Sequence, residues 1–277
     1  MPKLISGQLS KMTHKEGTPI QYLLNLGEEL YPLTSKVGQA LTMRYTGKIT
    51  CVECGRSIKK TYSDGYCFPC TRDLPENDIC SVRPEKCQHD KGNDADREFY
   101  EKYCNIDHYV YLSQTSGVKV GVTRHYNVPS RWIDQGAVKA LIIAKVPRRI
   151  LSGQIEVALA KKISDKTNWR KMLLGQIEDV DFSFMRSEMI ECIPKDLRQY
   201  ALYEEKVQSF TYPIEAVPEK ISIHNLDKES EFTERLTGIK GQYLIFESRV
   251  INLRKYSGYH IEFEFEEEIS PTAPHLY

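Results

Sequence analysis

The stretch Tyr109-Val-Tyr-Leu-Ser-Gln-Thr-Ser-Gly-Val-Lys-Val-Gly-Val-Thr-Arg124 decides how the chain is read. Two apolar-rich runs, Tyr109–Gln114 and Val118–Thr123, flank Ser116-Gly117, a turn pair, so the segment predicts a β-hairpin. Just downstream, Pro129 and Ser130 open a short helix that carries Arg131 and Trp132. Val138–Val146 (VKALIIAKV) is the strongest strand of the chain. Beyond it Ile150, Leu151, Ile155, Ala158, Leu159 and Ile163 recur at helical spacing and predict an amphipathic helix over 148–163. Hairpin, helix, strand and helix make residues 109–175 a small α/β unit.

Charge sets this unit apart. The 277 residues hold 38 basic and 38 acidic side chains, a net charge of zero, which taken alone argues against a polyanionic partner. Yet 109–175 carries 12 basic and three acidic residues, 176–277 carries 11 and 20, and 1–108 carries 15 of each. The zero is a cancellation of +9 against −9, and a local excess of +9 attracts a phosphate backbone. Arg124, Trp132, Lys145, Arg148 and Arg149 are the candidate nucleic-acid contacts, and DNA or RNA the expected partner. With 40% hydrophobic and 27% charged residues the chain has material for a core. It shows no run of the ~18 apolar residues a membrane span needs and no signal-peptide pattern in MPKLISGQLSKM, so a cytoplasmic protein is expected.

Upstream of the unit lie most of the eight cysteines. Cys51-Val-Glu-Cys54 and Cys67-Phe-Pro-Cys70 are two C-x-x-C knuckles twelve residues apart. Each can present two thiolates from a tight turn, Gly55 suits the first turn, and four thiolates form the closed tetrahedral site of structural zinc. Cys80, Cys87, His89 and Cys104, with His108 nearby, are candidate ligands of a second zinc. Cys192 reads as a core residue.

The order of elements around the hairpin resembles the GIY-YIG nuclease superfamily. Tyr109-Val-Tyr111 looks like its first motif and Lys119-Val-Gly121 like its second; Arg131 matches the arginine of the first helix and Glu156 the metal-binding glutamate of the later helix. Asn168 is a candidate for the last polar position. The resemblance implies Tyr111, Lys119, Arg131 and Glu156 as the catalytic set, with Mg²⁺ on Glu156. The chain departs from the pattern at Tyr109, where the motif has glycine, and at Lys119, where it has tyrosine. Combined with the four-cysteine ribbon, Lys119-Val-Gly-Val-Thr-Arg124 and Arg131-Trp-Ile-Asp-Gln-Gly-Ala137 look like a widespread prokaryotic family of unknown function.

The blander readings are structural. Tyr111 would be a core aromatic, Arg131 would stack on Trp132, and Glu156 would pair with a lysine one helical turn away.

The ends of the chain read as β. Tyr22–Leu26 and Gln39–Tyr45 are strand-like near the start; 242–247, 250–253 and 260–265 near the end. Residues 176–235, acidic and punctuated, read as a connecting region with one strand over Gln208–Ile214. The expected fold is therefore α+β, in four segments: 1–50 β, 51–108 zinc ribbon and Cys/His segment, 109–175 the GIY-YIG-like unit, and 176–277 a connection followed by β strands, the two ends joining in one module. The leading functional expectation is an Mg²⁺-dependent endonuclease acting on DNA or RNA. The alternatives are a non-catalytic zinc-containing nucleic-acid-binding protein and a zinc-stabilised interaction scaffold.

Overall fold

The computed structural model describes residues 3–88, 97–163 and 168–265. The fold is α+β with antiparallel sheets, as the pattern predicts. Its N-terminal part runs β1 (Lys3–Gln8), β2 (Thr13–Lys15), β3 (Gln21–Leu26), β4 (Glu29–Pro32) and β5 (Ala40–Ile49), then α1 (Phe68–Asp73) and α2 (Arg97–Tyr103). The middle runs β6 (His108–Gln114), β7 (Val118–Arg124), α3 (Ser130–Asp134), β8 (Lys139–Val146), α4 (Arg149–Leu159), α5 (Trp169–Leu173), α6 (Phe182–Glu191) and β9 (Gln208–Ser209). The chain closes with β10 (Glu231–Lys240), β11 (Tyr243–Phe246), β12 (Val250–Asn252) and β13 (Tyr259–Phe265).

The two ends of the chain meet in one six-stranded sheet of order β1-β13-β5-β10-β11-β12. Strict alternation drives β13 into it: Tyr259, Ile261, Phe263 and Phe265 are buried while the residues between them are half-exposed. On the outer face Arg44 of β5 bridges Glu231 of β10 (2.7 Å) and Glu262 of β13 (2.9 Å), pairing the strands by charge. The inner face shares a core with Tyr22, Leu24 and Leu26 of the small β2-β3-β4 sheet.

The second large sheet has order β7-β6-β8-β9. Val110, Leu112, Val120, Leu141 and Ile143 on one face bury Ile155 and Leu159 of α4 and Met189 and Ile190 of α6. Its other face holds Tyr111, Trp132, Ala137 and Ala140. The 148–163 helix is shorter than its periodicity suggests, ending at Leu159. The strand expected over Gln208–Ile214 shrinks to two residues, and the supposed connecting region contains α6 and the start of β10. Among the described residues no helix is long and apolar enough to cross a membrane.

Candidate metal centres and phosphate site

One cysteine cluster follows β5 of the six-stranded sheet, and a second lies against α4. β5 ends at Ile49 and the chain passes directly into the first knuckle, whose turn is closed by Gly55 (φ 68°) donating its N–H to the Cys51 carbonyl. Only a residue tolerant of the left-handed region fits there. The second knuckle opens α1, with Cys67 at its N-cap. The sulfurs of Cys51, Cys54, Cys67 and Cys70 all lie within 4.8 Å of one another. Cys54 Sγ and Cys67 Sγ are 3.8 Å apart, the edge of a tetrahedron with metal–sulfur bonds of about 2.3 Å. Burial pushes the Cys51 thiol up, but backbone amides of Cys54, Cys67 and Glu53 outweigh it and bring it down to about 6, so the site favours a thiolate. Geometry and donor set both fit zinc.

The second cluster contains Cys80, Cys87 and Cys104, all buried, with sulfurs inside the same 4.8 Å limit. Two 3₁₀ turns, Ile79–Ser81 and Pro84–Lys86, supply the first two, and α2 delivers the third. Arg149, the first residue of α4, donates to Cys80 Sγ at 3.4 Å, and the Cys80 thiol is held low by contacts from Cys104, Cys87 and this guanidinium. Three soft donors of this kind suit zinc with one position left for another ligand. His89, named for that position, lies outside the described residues. His108 stands apart from the three sulfurs; its Nδ1 is 2.8 Å from the Ile106 carbonyl. Cys192 packs against the α4–α6 core, as expected.

The four residues of the hairpin and helices are placed as follows. Tyr111 faces Gly121 across β6 and β7, and a Cβ at Gly121 would fall 2.6 Å from the phenolic oxygen, so glycine is what leaves room for the hydroxyl. That hydroxyl donates to Gln135 Oε1 at 3.2 Å. Burial raises the phenol above its ordinary value; the positive charge of Arg131 opposes this, and the Glu156 carboxylate adds to it. Three of the four residues are therefore electrostatically connected. Lys119 sits opposite Ser113, two residues from Gly121 on the same face of β7, and is buried. Arg131 is a cation that acts on the phenol, and burial still wins, so Tyr111 is a protonated hydroxyl at neutral pH.

Gln135 was not singled out from the sequence, although it lies four residues after Arg131 and so on the same face of the turn. Asn168 caps α5, accepting from the Lys171 N–H at 3.2 Å. Trp132 requires a correction: it is fully buried, with Tyr111 edge-on at 5.8 Å and Phe210 at 6.1 Å, so its indole is a core side chain with no face for a base. Nor does Arg131 need it as a stacking partner. Lys145 is exposed and bridges Asp107 at 2.8 Å, and Arg148 is exposed ahead of α4. Arg124 lies over the Tyr103 ring at 4.7 Å, its Nε bonded to the Tyr103 carbonyl. Together with Arg131 and Arg149 it lines one cavity.

Compared with known proteins, residues 38–261 match the family model described as a protein of unknown function (DUF2797). No curated protein and no solved structure matches the chain.

Proposed function

The chain belongs to DUF2797, a family of unknown function, and we propose that it is a nucleic-acid phosphodiesterase of GIY-YIG type. Residues 109–175 would be its reacting unit and the two cysteine clusters its zinc-bound flank. The observation that carries the reading is that Arg131 of α3 and Glu156 of α4 both act electrostatically on Tyr111 of β6, where Gly121 makes room for the phenol. Arg131, half-buried, presents the planar fork of donors that clamps non-bridging phosphate oxygens. Tyr111, kept protonated by burial, orients the attacking water or donates to the developing oxyanion rather than removing a proton. Glu156 would hold Mg²⁺, which in such sites polarises the phosphate and lowers the pKa of water.

Incubated with Mg²⁺, the purified protein should nick single-stranded, branched or transfer-RNA substrates. Glu156→Ala should abolish nicking with binding and folding retained, and Arg131→Ala should slow it by about 100- to 1000-fold. A Glu156→Ala protein that nicks as fast as the parent removes the reading. A binding module without catalysis is the second reading, favoured by the burial of Tyr111 and by Lys119 at the second motif's tyrosine position. Salt-sensitive binding with no cleavage of any substrate would select it.

A further inference from the structure

Between the first turn of α4, the end of β7 and the loop of the second cysteine cluster lies a cavity of roughly 240 Å³. Three guanidiniums reach it from three different elements: Arg124 from β7, Arg131 from α3 and Arg149 from α4. Among the described residues that line it there is no carboxylate. Arg149 is only 8% exposed, and the acceptors it meets are the carbonyl and sulfur of Cys80, each at 3.4 Å. Both contacts use Nη1, so the remaining donors of this buried guanidinium call for an acceptor beyond the Cys80 thiolate. His108, 2% exposed, forms part of the same wall. The Ile106 carbonyl can only accept, so Nδ1 carries the proton. Burial, the largest cause, pushes the ring down to about 4, so it is neutral, and its Nε2 is a buried lone pair with no partner among the described residues.

We propose that this cavity receives the terminal phosphate of a nucleic-acid strand, beside the reacting centre and sharing Arg131 with it. The inference rests on the nucleic-acid reading above and names the feature of the substrate that this site selects. An internal phosphodiester offers two free oxygens with chain on both sides. A phosphomonoester offers three, one for each guanidinium, and in its monoanion one of them is a hydroxyl, the donor that the His108 Nε2 lacks. Arginine forks bind phosphate oxygens in pairs of short charge-assisted bonds. The Cys80 contact of Arg149 explains why the second cysteine cluster stands where it does, since it holds one of the three forks in place.

The test compares one oligonucleotide carrying a 5′-phosphate, a 3′-phosphate or neither, bound to the full-length protein at fixed salt and without Mg²⁺. One of the phosphorylated forms should bind at least about tenfold tighter than the bare strand. Arg124→Gln should erase that preference, whereas Glu156→Ala should keep it. Inorganic phosphate should compete against the phosphorylated strand and leave the bare strand's affinity unchanged, a measurement that needs no variant. Equal affinity for all three strands, or a preference that survives Arg124→Gln, overturns the proposal. A mononucleotide that binds as tightly as the phosphorylated strand would assign the cavity to free nucleotides and overturn the strand-end assignment. The two readings fail separately. End preference without nicking keeps this site and removes the nuclease; nicking without end preference does the reverse.

Discussion

Lys240 shows how a single charge can be set by its surroundings. It ends β10 almost fully buried, with Nζ 2.8 Å from the Met172 carbonyl and 5.4 Å from the Tyr212 ring centroid. Burial pushes its pKa from 10.5 down to about 8. In the unfolded chain the amine keeps its proton to about 10.5, and in the folded protein it gives it up near 8. Between those values the unfolded state binds more protons, so stability rises with pH; below 8 both states are protonated and the cost of burying the charge, about 3 kcal/mol, stays in full. Lys240→Met is expected to be more stable than the parent at pH 7, with the gap closing from pH 8 to 10 in urea unfolding. A gap independent of pH from 8 to 10 would show that burial does not lower this pKa, so that the lysine keeps its proton in the folded protein as long as in the unfolded chain. At this scale legibility was uneven. Tyr111, Arg131 and Glu156 stood out by type and order, but nothing in the sequence says that burial outweighs the charge of Arg131 at the phenol. Trp132 beside Arg131 read as a surface pair, while one residue along a short helix turns the side chain by about 100° and points it into the core.

The element that ties chemistry to scaffold is α4. Its Ser152 and Gly153 face are buried, and a Cβ at Gly153 would overlap the backbone of Pro84 and Glu85, in the turn between Cys80 and Cys87. Helix and cysteine loop are thus pressed main chain to main chain, which glycine alone permits. Gly153→Ala is expected to cost about 1–3 kcal/mol and to displace the loop. Metal analysis should find two zinc ions per parent chain and one in the variant; two in the variant would mean the loop and its sulfurs had adjusted. Strands were the most legible elements where apolar residues ran densely, as in β6, β7 and β8, or alternated cleanly, as in β13. β10 escaped because its ladder with β11 is irregular between Leu236 and Gly238, which breaks the period of two in a strand already crowded with Glu231, Glu234 and Arg235. α6 escaped because exposed Phe184 blurs the apolar stripe. The cysteine knuckles were legible because spacing, not period, encodes them.

Over the whole molecule, the +9 and −9 regions share one chain of zero net charge, so binding should depend on where the charges lie. If Arg124, Arg131 and Arg149 together hold one terminal phosphate while other basic residues of the unit neutralise two or more along the strand, the slope of log K against log salt should be about −3 or steeper on duplex DNA, and Arg124→Gln should make it shallower. Binding that ignores salt would remove any role for these arginines. The pairing of the two chain ends in the larger sheet has a consequence for synthesis. β5 is flanked by β13 and β10, which come off the ribosome about 190 residues later and more. Until then its apolar side chains, Leu41 and Met43 among them, have no native neighbours on either side. The β6–β9 unit, made of contacts between nearby residues, can close long before. A nascent chain therefore carries a finished basic unit and an open, adhesive N-terminal strand at the same time, and its need for chaperone cover lasts until the final strand is released.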